Sequence, residues 1–475
     1  MKSIYLVNPI SGRGHLDAYV RLYSRALIEL GYEVVLVSET DGGASAYLER
    51  NCPGSQDKFG FSSFEQAQRW NPAPNRSERA GKSAAQRARL VWQDEGMRGL
   101  ATRCVRIPRR IFRSYVPLSI QNNIARIRRA IVRRALSSRI MRAFNFPIDP
   151  DAGRILFQPL LRHVHQVVTM PGRPAPALVL FLYLDLMAER SQNTAALDRD
   201  AWPWTGILFH PRKAADRQAP HEGYFDSSNA RGAIFLVPPA IDRYAAALPR
   251  QHFVLAPDVA DLELPDAPTE MAHEIRRRAG DRTIVLQIGS IMAHKGIPTL
   301  LDVINAADPK RFFFALIGEV YWETFAEQEP RVRLAFERTP ENVFAHNGYT
   351  QSEREYNSLI KTCDVVYAVY QSFNSSSNSL TKASGLGRPI LVAANTLMGE
   401  RVLASGIGAV AQEGDAAGIL AALNQIADRP LESFSFARYK DDHSLESLKL
   451  VLAEAIPRWL VDQATANKHS LPNGD

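Results

Sequence analysis

The feature that most constrains the fold is a regular alternation of apolar runs and helical stretches that begins at Thr283. Two of the intervening stretches, 297–307 and 352–361, have helical periodicity. Parallel strands cannot be joined by a tight turn and need a helical crossover. Strands that alternate with helices therefore predict a doubly wound parallel sheet. The predicted strands are 283–288, 312–317, 342–345, 364–369 and 389–393.

A similar series starts the chain. A predicted strand at 3–7 is followed by a glycine-containing loop, a helix and a strand at 33–38, which together form a βαβ unit. Residues 40 to about 80 are rich in Gly, Pro, Ser, Asn and Gln, which predicts a loose connection. Further strands are predicted at 177–184, 206–210, 232–237 and 252–255.

The chain has 475 residues, which is too many for a single core. We expect an α/β protein with two Rossmann-like doubly wound domains that face each other across a cleft. The predicted N-terminal domain is 1–265 and the predicted C-terminal domain is 270–475, with a last helix that can cross back. The stretch 262–269 has the composition of a linker. Ligands bind at the carboxyl ends of the strands in such sheets, so we expect the site in the cleft.

Composition bears on the cellular compartment. Three scattered cysteines form neither a disulfide framework nor a metal site, and they suit a reducing environment. The first residues enter a strand at once, without the apolar segment and cleavage site of a signal peptide. No apolar run approaches the ~20 residues of a membrane-spanning helix. We therefore expect a cytoplasmic protein, with peripheral contact to the inner face of the plasma membrane left open.

Two C-terminal segments carry the chemistry. Gly289 follows the strand at 283–288, and Lys295 comes directly before a helix. A buried strand, a tight turn and a cation at a helix start form a suitable place for a diphosphate. Taken alone, Lys295 is better explained as a solvated lysine, but the ordered series around it favours diphosphate binding. The stretch from Ser379 to Val392 then predicts a short helix that ends in glycines and leads into another buried strand.

The order and spacing of these segments resemble the nucleotide-sugar glycosyltransferases of the two-Rossmann (GT-B) fold, with family 4 the closest in layout. The resemblance covers the C-terminal half well and the first strand–loop–helix unit less well. The segments that carry it are 289–296, 315–319, 343–348, 363–366, 382–392 and 402–408, with Asp415 at a helix start and 257–261 at the end of the first domain.

The resemblance implies a metal-independent, hexosyltransferase-like enzyme without a cofactor. Its donor would be a nucleoside-diphosphate sugar and its acceptor a lipid-linked or saccharide hydroxyl, in the synthesis of bacterial surface polysaccharide or glycolipid. The implied catalytic residues are His15, Lys295 and Lys382. The implied donor-binding residues are Gly12, Gly14, Gly289, Ser290, Lys295, Glu319, Gly348, Asn374, Ser379, Leu380, Thr381 and Lys382.

Three positions depart from the family pattern. Ser290 stands where family 4 enzymes usually have an arginine, and Asn374 and Lys382 stand where they usually have two glutamates. A lysine ammonium has only hydrogen-bond donors, so Lys382 cannot accept bonds from ribose hydroxyls as the second glutamate does. We expect Lys382 and Lys295 to share the diphosphate charge, helped by the backbone amides of 379–381.

His15 follows a glycine-rich turn on the presumed acceptor side of the cleft. In inverting relatives with a similar Gly-His start, the histidine removes the proton of the acceptor hydroxyl. An imidazole with an ordinary pKa near 6.5 suits that role. A histidine that is bonded to its own loop, or that only touches the donor sugar, is an equally good interpretation.

Other polar groups fall near predicted strand ends. The run 374–379 carries small hydroxyl and amide groups able to bond phosphate oxygens. Glu319 borders the cleft or faces solvent. Asp185 either orients an acceptor or, as the better interpretation, is a buried carboxylate held by hydrogen bonds. Asp258 and Asp261 are expected to be turn residues rather than catalytic ones.

The most individual feature is a basic helical insertion predicted at about 84–144. It holds 13 arginines and no Lys, Asp or Glu between Arg98 and Arg142, which exceeds the net charge of +7 for the whole chain. Isoleucines at helical spacing give it one apolar face, so it can lie on an anionic membrane surface. Packing of that face on the N-terminal domain is an equal alternative. Nucleic-acid binding is not expected, because aromatic residues are few and no known module is present.

Two other functions stay open. The missing glutamates leave room for a non-catalytic GT-B-fold scaffold or regulator in a polysaccharide assembly complex. An epimerase or phosphorylase of the same fold is the other alternative, although no candidate pyridoxal-binding lysine motif is present.

Overall fold

The computed structural model describes residues 1–9, 11, 15–64, 148–149, 154–188, 198, 202–211, 223–350 and 352–461. The predicted basic insertion and the glycines Gly12 and Gly14 lie outside these ranges. The helices and the membrane contact predicted for that insertion therefore stay predictions. His15 begins the first helix.

The N-terminal half is built on a seven-stranded sheet in which every pairing is parallel. Its order is β10-β9-β8-β6-β1-β2-β3. These strands are β1 (Ser3–Val7), β2 (Glu33–Ser38), β3 (Phe59–Ser63), β6 (Pro176–Phe181), β8 (Trp204–Leu208), β9 (Gly232–Phe235) and β10 (His252–Leu255). A small second sheet joins β4 (Ile148–Asp149), β5 (Arg154–Leu156) and β7 (Met187–Ala188). The α-helices among the described residues of this half are α1 (His15–Glu29), α2 (Ala44–Asn51), α3 (Phe157–Val168) and α4 (Pro239–Ala247).

The C-terminal half is built on a six-stranded parallel sheet of order β13-β12-β11-β14-β15-β16. Its strands are β11 (Thr283–Ile288), β12 (Phe312–Ile317), β13 (Val343–His346), β14 (Val365–Ala368), β15 (Ile390–Ala393) and β16 (Gly408–Ala411). The helices are α5 (Glu270–Ala279), α6 (Ile297–Ala306), α7 (Glu329–Glu337), α8 (Glu353–Thr362), α9 (Asn378–Gly385), α10 (Leu397–Ser405), α11 (Ala416–Ala427), α12 (Phe436–Asp442) and α13 (Leu445–Leu460).

The predicted fold class, two doubly wound Rossmann-like sheets, is confirmed. The strands predicted at 283–288 and 312–317 have the observed bounds of β11 and β12, because both runs are mostly apolar and every residue from 312 to 317 is buried. The loose connection predicted at 40 to about 80 is wrong for its first part, which contains α2 and β3. The sequence of β3 includes a glycine and two serines, and this strand depends on its pairing with β2.

The last helix of the described chain belongs to the N-terminal core. Its apolar face packs with α1 and the first sheet, although the helix follows the C-terminal sheet in sequence. Trp459 is fully buried there, and its indole Nε1 donates to the carbonyl of His252 at 2.9 Å. The chain therefore passes between the halves twice, once through 256–269 and once before α13. Among the described helices none is long and apolar enough to cross a membrane.

We expect Trp459→Ala to lower the free energy of unfolding by about 3–5 kcal/mol, because it opens a cavity and leaves the His252 carbonyl without its donor. Urea titration followed by far-UV circular dichroism measures the change. Leu450 lies on the same helix and is 73% exposed. Leu450→Ala is the matched control and should cost less than about 0.5 kcal/mol. Equal losses in the two variants would contradict the placement of α13.

Candidate functional site

The carboxyl edge of the second sheet forms a topological switch point, because chain order reverses between β11 and β14. Ligands of open α/β sheets bind at such points. Gly289 follows β11 with φ 103°, and Gly318 follows β12 with φ 152°. A Cβ on Gly318 would lie 1.6 Å from the Gly289 carbonyl oxygen. Glycine at position 318 therefore lets the loops after β11 and β12 touch.

Lys295 is held in a short turn that is docked on the end of β14. The turn Ala293–Lys295 ends at Gly296, whose φ of 74° starts α6. The Gln371 amide donates to the His294 carbonyl at 2.7 Å. A Cβ on Gly296 would approach the Val369 carbonyl oxygen to 2.3 Å. The backbone beside Lys295 is thus fixed on both sides.

The Lys295 ammonium rests on aromatic rings. Its Nζ lies 3.7 Å from the centroid of Tyr370 and 5.7 Å from that of Phe373. Within the described part of the chain no carboxylate forms a salt bridge with it. Burial raises the pKa of Tyr370, but the Lys295 ammonium and hydrogen bonds with Ser379 and Ser377 outweigh burial and lower it. The site therefore holds a cation without an anionic partner among the described residues.

Lys382 lies elsewhere, in a buried cluster beside the linker. Its Nζ donates to Glu353, to Asn357 Oδ1 at 2.6 Å and to the Asp261 carbonyl at 2.9 Å. The lysine side chain is 2% exposed. An ammonium has three hydrogens, and all three are used here. These contacts do not support the expected sharing of the diphosphate charge with Lys295, and they give Lys382 the structural task of fastening the linker to α8 and α9.

The run 374–379 contacts protein groups rather than facing an open phosphate site. The exposed Asn374 accepts from the Leu397 amide at 2.8 Å. Ser376 donates to Asp258 and accepts from Arg401 at 2.8 Å. This run connects the ends of the two sheets.

The start of α9 was expected to supply amides to the donor. The Leu380 amide donates to the Ser377 carbonyl at 2.9 Å, and the side chains of Ser379, Leu380 and Thr381 are buried. The Ser379 hydroxyl receives a bond from Tyr370 at 3.3 Å. This geometry leaves the expected amide role without direct support.

Sequence analysis missed His210 at the end of β8. Asp185 accepts from the amides of Phe209 and His210 at 2.7 and 2.9 Å, as the structural interpretation of that carboxylate predicted. The Ser375 hydroxyl donates to the Phe209 carbonyl at 3.2 Å and also lies 3.1 Å from His210 Nδ1. This contact holds the imidazole of His210 beside the run 374–379. The signal was available, because the predicted strand 206–210 ends on this histidine.

Asp258 was expected to be a turn residue and is instead a buried carboxylate that bonds residues of both halves. It is 2% exposed and accepts from Tyr19 at 2.7 Å and from Ser376. Its amide donates to His443 Nδ1 at 3.2 Å. Burial and the nearby Arg401 lower the pKa of His443. Asp258 therefore joins both halves of the described chain.

The remaining predicted residues lie at strand ends. Ser290 is exposed after β11, and Gly348 follows β13. Glu319 is exposed after β12 and accepts from the Tyr321 hydroxyl at 2.9 Å. Over the described ranges, no three His, Cys, Asp or Glu side chains come together as a metal site.

The fold is that of solved glycosyltransferases. Sucrose-phosphate synthase from Thermosynechococcus elongatus superposes with a TM-score of 0.55 at 14% identity, covering 99% of both chains. HepE from Anabaena, in complex with UDP and glucose, gives 0.51 at 10% identity over 99% of this chain and 100% of that one. WaaG, a glycosyltransferase involved in lipopolysaccharide biosynthesis, gives 0.51 at 11% identity over 96% and 99%.

No protein-family model and no curated protein matches the sequence. At these identities the likeness shows the fold, and the predicted GT-B architecture is confirmed. Membership of family 4 stays a prediction.

We expect Lys382→Met to lower the free energy of unfolding by about 3–5 kcal/mol, because the Glu353 carboxylate then stays buried without its counter-ion. Urea unfolding measures this loss. The double variant Lys382→Met, Glu353→Gln has no unpaired charge and should recover part of the stability. A Lys382→Met protein of unchanged stability would contradict the structural role.

Proposed function

We propose that the protein is a glycosyltransferase that moves a sugar from a nucleoside-diphosphate sugar to an acceptor hydroxyl. The observation that carries this proposal is the Lys295 ammonium, held at the switch point of the second sheet without a described carboxylate partner. The remaining support comes from Gly289 after β11, from the histidine on the facing sheet and from the fold.

The charge of the donor fits the site. A departing nucleoside diphosphate gains negative charge, and a fixed ammonium stabilises that charge most where it need not reorganise. Lys295 meets this condition because its turn is hydrogen-bonded to the residues after β14. A Cβ on Gly289 would have the Tyr356 hydroxyl 3.4 Å away, so glycine at this position keeps the backbone after β11 approachable by phosphates.

The solved relatives support the donor class. HepE from Anabaena has been observed with UDP and with UDP-glucose. These complexes favour a nucleoside-diphosphate sugar for the present chain, because the two proteins share the fold over nearly their whole lengths.

The acceptor hydroxyl needs a base from the N-terminal half. His15 and His210 both lie at carboxyl ends of strands in the first sheet, after β1 and β8. The imidazole of His210 is held by a 3.1 Å hydrogen bond between Nδ1 and the Ser375 hydroxyl. We propose that one of these two imidazoles takes the acceptor proton as the sugar is transferred.

We further propose a saccharide or lipid-linked acceptor in bacterial surface polysaccharide or glycolipid synthesis. WaaG, which shares the fold, is involved in lipopolysaccharide biosynthesis. Contact of the predicted basic insertion with an anionic membrane, a cytoplasmic location and metal-independent transfer belong to the same proposal. A non-catalytic scaffold of the same fold is the competing hypothesis.

We expect Lys295→Met to abolish nucleotide binding without unfolding the protein. Thermal shift with UDP, GDP, ADP, TDP and CMP is the measurement, because ligand at about 100 times its dissociation constant adds roughly 2.7 kcal/mol of stability. Lys310→Met is the matched control, since Lys310 is exposed before β12, at the opposite edge of the same sheet. A nucleotide bound equally by both variants would remove Lys295 from the donor site. Binding of none by the wild type would favour the scaffold.

We expect His210→Ala to reduce kcat about 10²- to 10⁴-fold while the dissociation constant of the donor stays unchanged, because a base acts only on the acceptor proton. The measurement compares kcat with donor affinity from isothermal titration calorimetry. His15→Ala is the parallel variant. A full loss of kcat in His15→Ala with normal turnover in His210→Ala would assign the base to His15.

A further inference from the structure

The aromatic pair that contacts Lys295, Tyr370 and Phe373, has no assigned role in the proposed reaction. Tyr370 lies two residues after the buried strand β14, and its own side chain is buried at 2% exposure. We propose that Tyr370 is a positioning residue, whose ring holds the Lys295 ammonium in place for the donor diphosphate. This inference rests on the proposed function and adds a residue that determines how the donor is held.

The contact has the geometry of a strong cation–π interaction. The Lys295 Nζ lies 3.7 Å from the centroid of Tyr370, well inside the range of about 6 Å over which such pairs attract. Desolvation strengthens the attraction, and this ring is almost fully buried. The ammonium is therefore drawn mainly to Tyr370, with Phe373 farther away at 5.7 Å.

The ring itself is fixed from two sides. Phe373 meets Tyr370 edge-to-face, with centroids 5.4 Å apart and ring planes at 83°. The Tyr370 hydroxyl donates to Ser379 Oγ at 3.3 Å, at the start of α9. A ring held by both contacts cannot turn away, so it defines the direction of the ammonium.

The lysine backbone is tied to the same segment. The Gln371 amide donates to the His294 carbonyl, and the Tyr367 hydroxyl donates to the Gly296 carbonyl at 3.3 Å. The backbone of the Lys295 turn is thus set by the residues of β14 and its end. The long Lys295 side chain can still rotate, and restricting its many rotamers when the donor binds costs conformational entropy. Contact with Tyr370 removes that freedom before the donor arrives.

An aromatic partner for Lys295 also suits the negative charge of the diphosphate. A carboxylate would hold an ammonium equally well but would cancel its charge and repel a diphosphate. A neutral ring attracts the cation through its quadrupole and leaves the full charge available. The buried ring covers one side of the ammonium, so the diphosphate meets it from the other side.

The test uses the full chain with Tyr370→Phe and Tyr370→Leu. Phenylalanine keeps the ring and leucine removes it. We expect the affinity for UDP and for inorganic pyrophosphate to stay within about twofold in Tyr370→Phe. In Tyr370→Leu we expect a loss of about threefold to thirtyfold, the range that cation–π contacts cover. Tyr244→Leu, a buried tyrosine of the N-terminal half, controls for the cavity that leucine leaves. Isothermal titration calorimetry gives the affinities.

A second measurement does not depend on nucleotide binding. In protein labelled with ¹³C-lysine, the Lys295 Hε signals are identified by their absence from Lys295→Met. A cation over a ring should show an upfield ring-current shift in the wild type and in Tyr370→Phe, and this shift should vanish in Tyr370→Leu.

Each outcome decides between the claims. Unchanged or increased affinity in Tyr370→Leu would overturn the positioning role, since the ring would then be neutral or competing. An unshifted Lys295 signal in the wild type would overturn it as well. If the wild type binds neither probe, the donor site fails and the positioning role fails with it. A ring-current shift on Lys295 in that case would show that the contact with Tyr370 exists but does not serve diphosphate binding.

Discussion

Parallel pairing is the constraint on which the rest of this structure depends. Every pairing in the two large sheets is parallel, so each strand must be followed by a crossover before the next can join. All crossovers leave from the carboxyl ends, and the loops that begin them gather at one edge of each sheet. The reversal of chain order between β11 and β14 opens that edge, and Lys295 sits there because its turn follows β11.

The segment that joins the halves is held by buried polar contacts. Asp258 receives bonds from Tyr19 and Ser376, and Asp261 pairs with Arg21 through its carboxylate while its carbonyl accepts from Lys382. A buried polar group without a partner is costly, so these groups are satisfied only when both halves are in place. The linker is therefore specified by hydrogen bonds more than by its own sequence preferences.

Lys295 and Lys382 were predicted to share a diphosphate, but the two side chains differ in burial and in the groups that contact them. Lys382 is enclosed and paired with Glu353, which neutralises its charge. Lys295 is half-buried against the ring of Tyr370. A protonated tyrosine is neutral, so the charge of the Lys295 ammonium stays available. Both lysines precede or lie within short helices after buried strands, so local sequence does not distinguish them. The partner residues come from other elements, and only folding brings them near.

The sequence by itself determined five of the six strands of the second sheet, the doubly wound class and the helix start at Asp415, whose carboxylate caps α11. These features follow from local physics, because apolar runs, helical periodicity and caps act within a few residues. The edge strand β3, the placement of α13 in the first core, the bond between His210 and Ser375 and the contact of Lys295 with Tyr370 were decided only by the tertiary structure. Each depends on groups far apart in the chain, and a contact between distant residues leaves no periodic signal in either of the segments that make it.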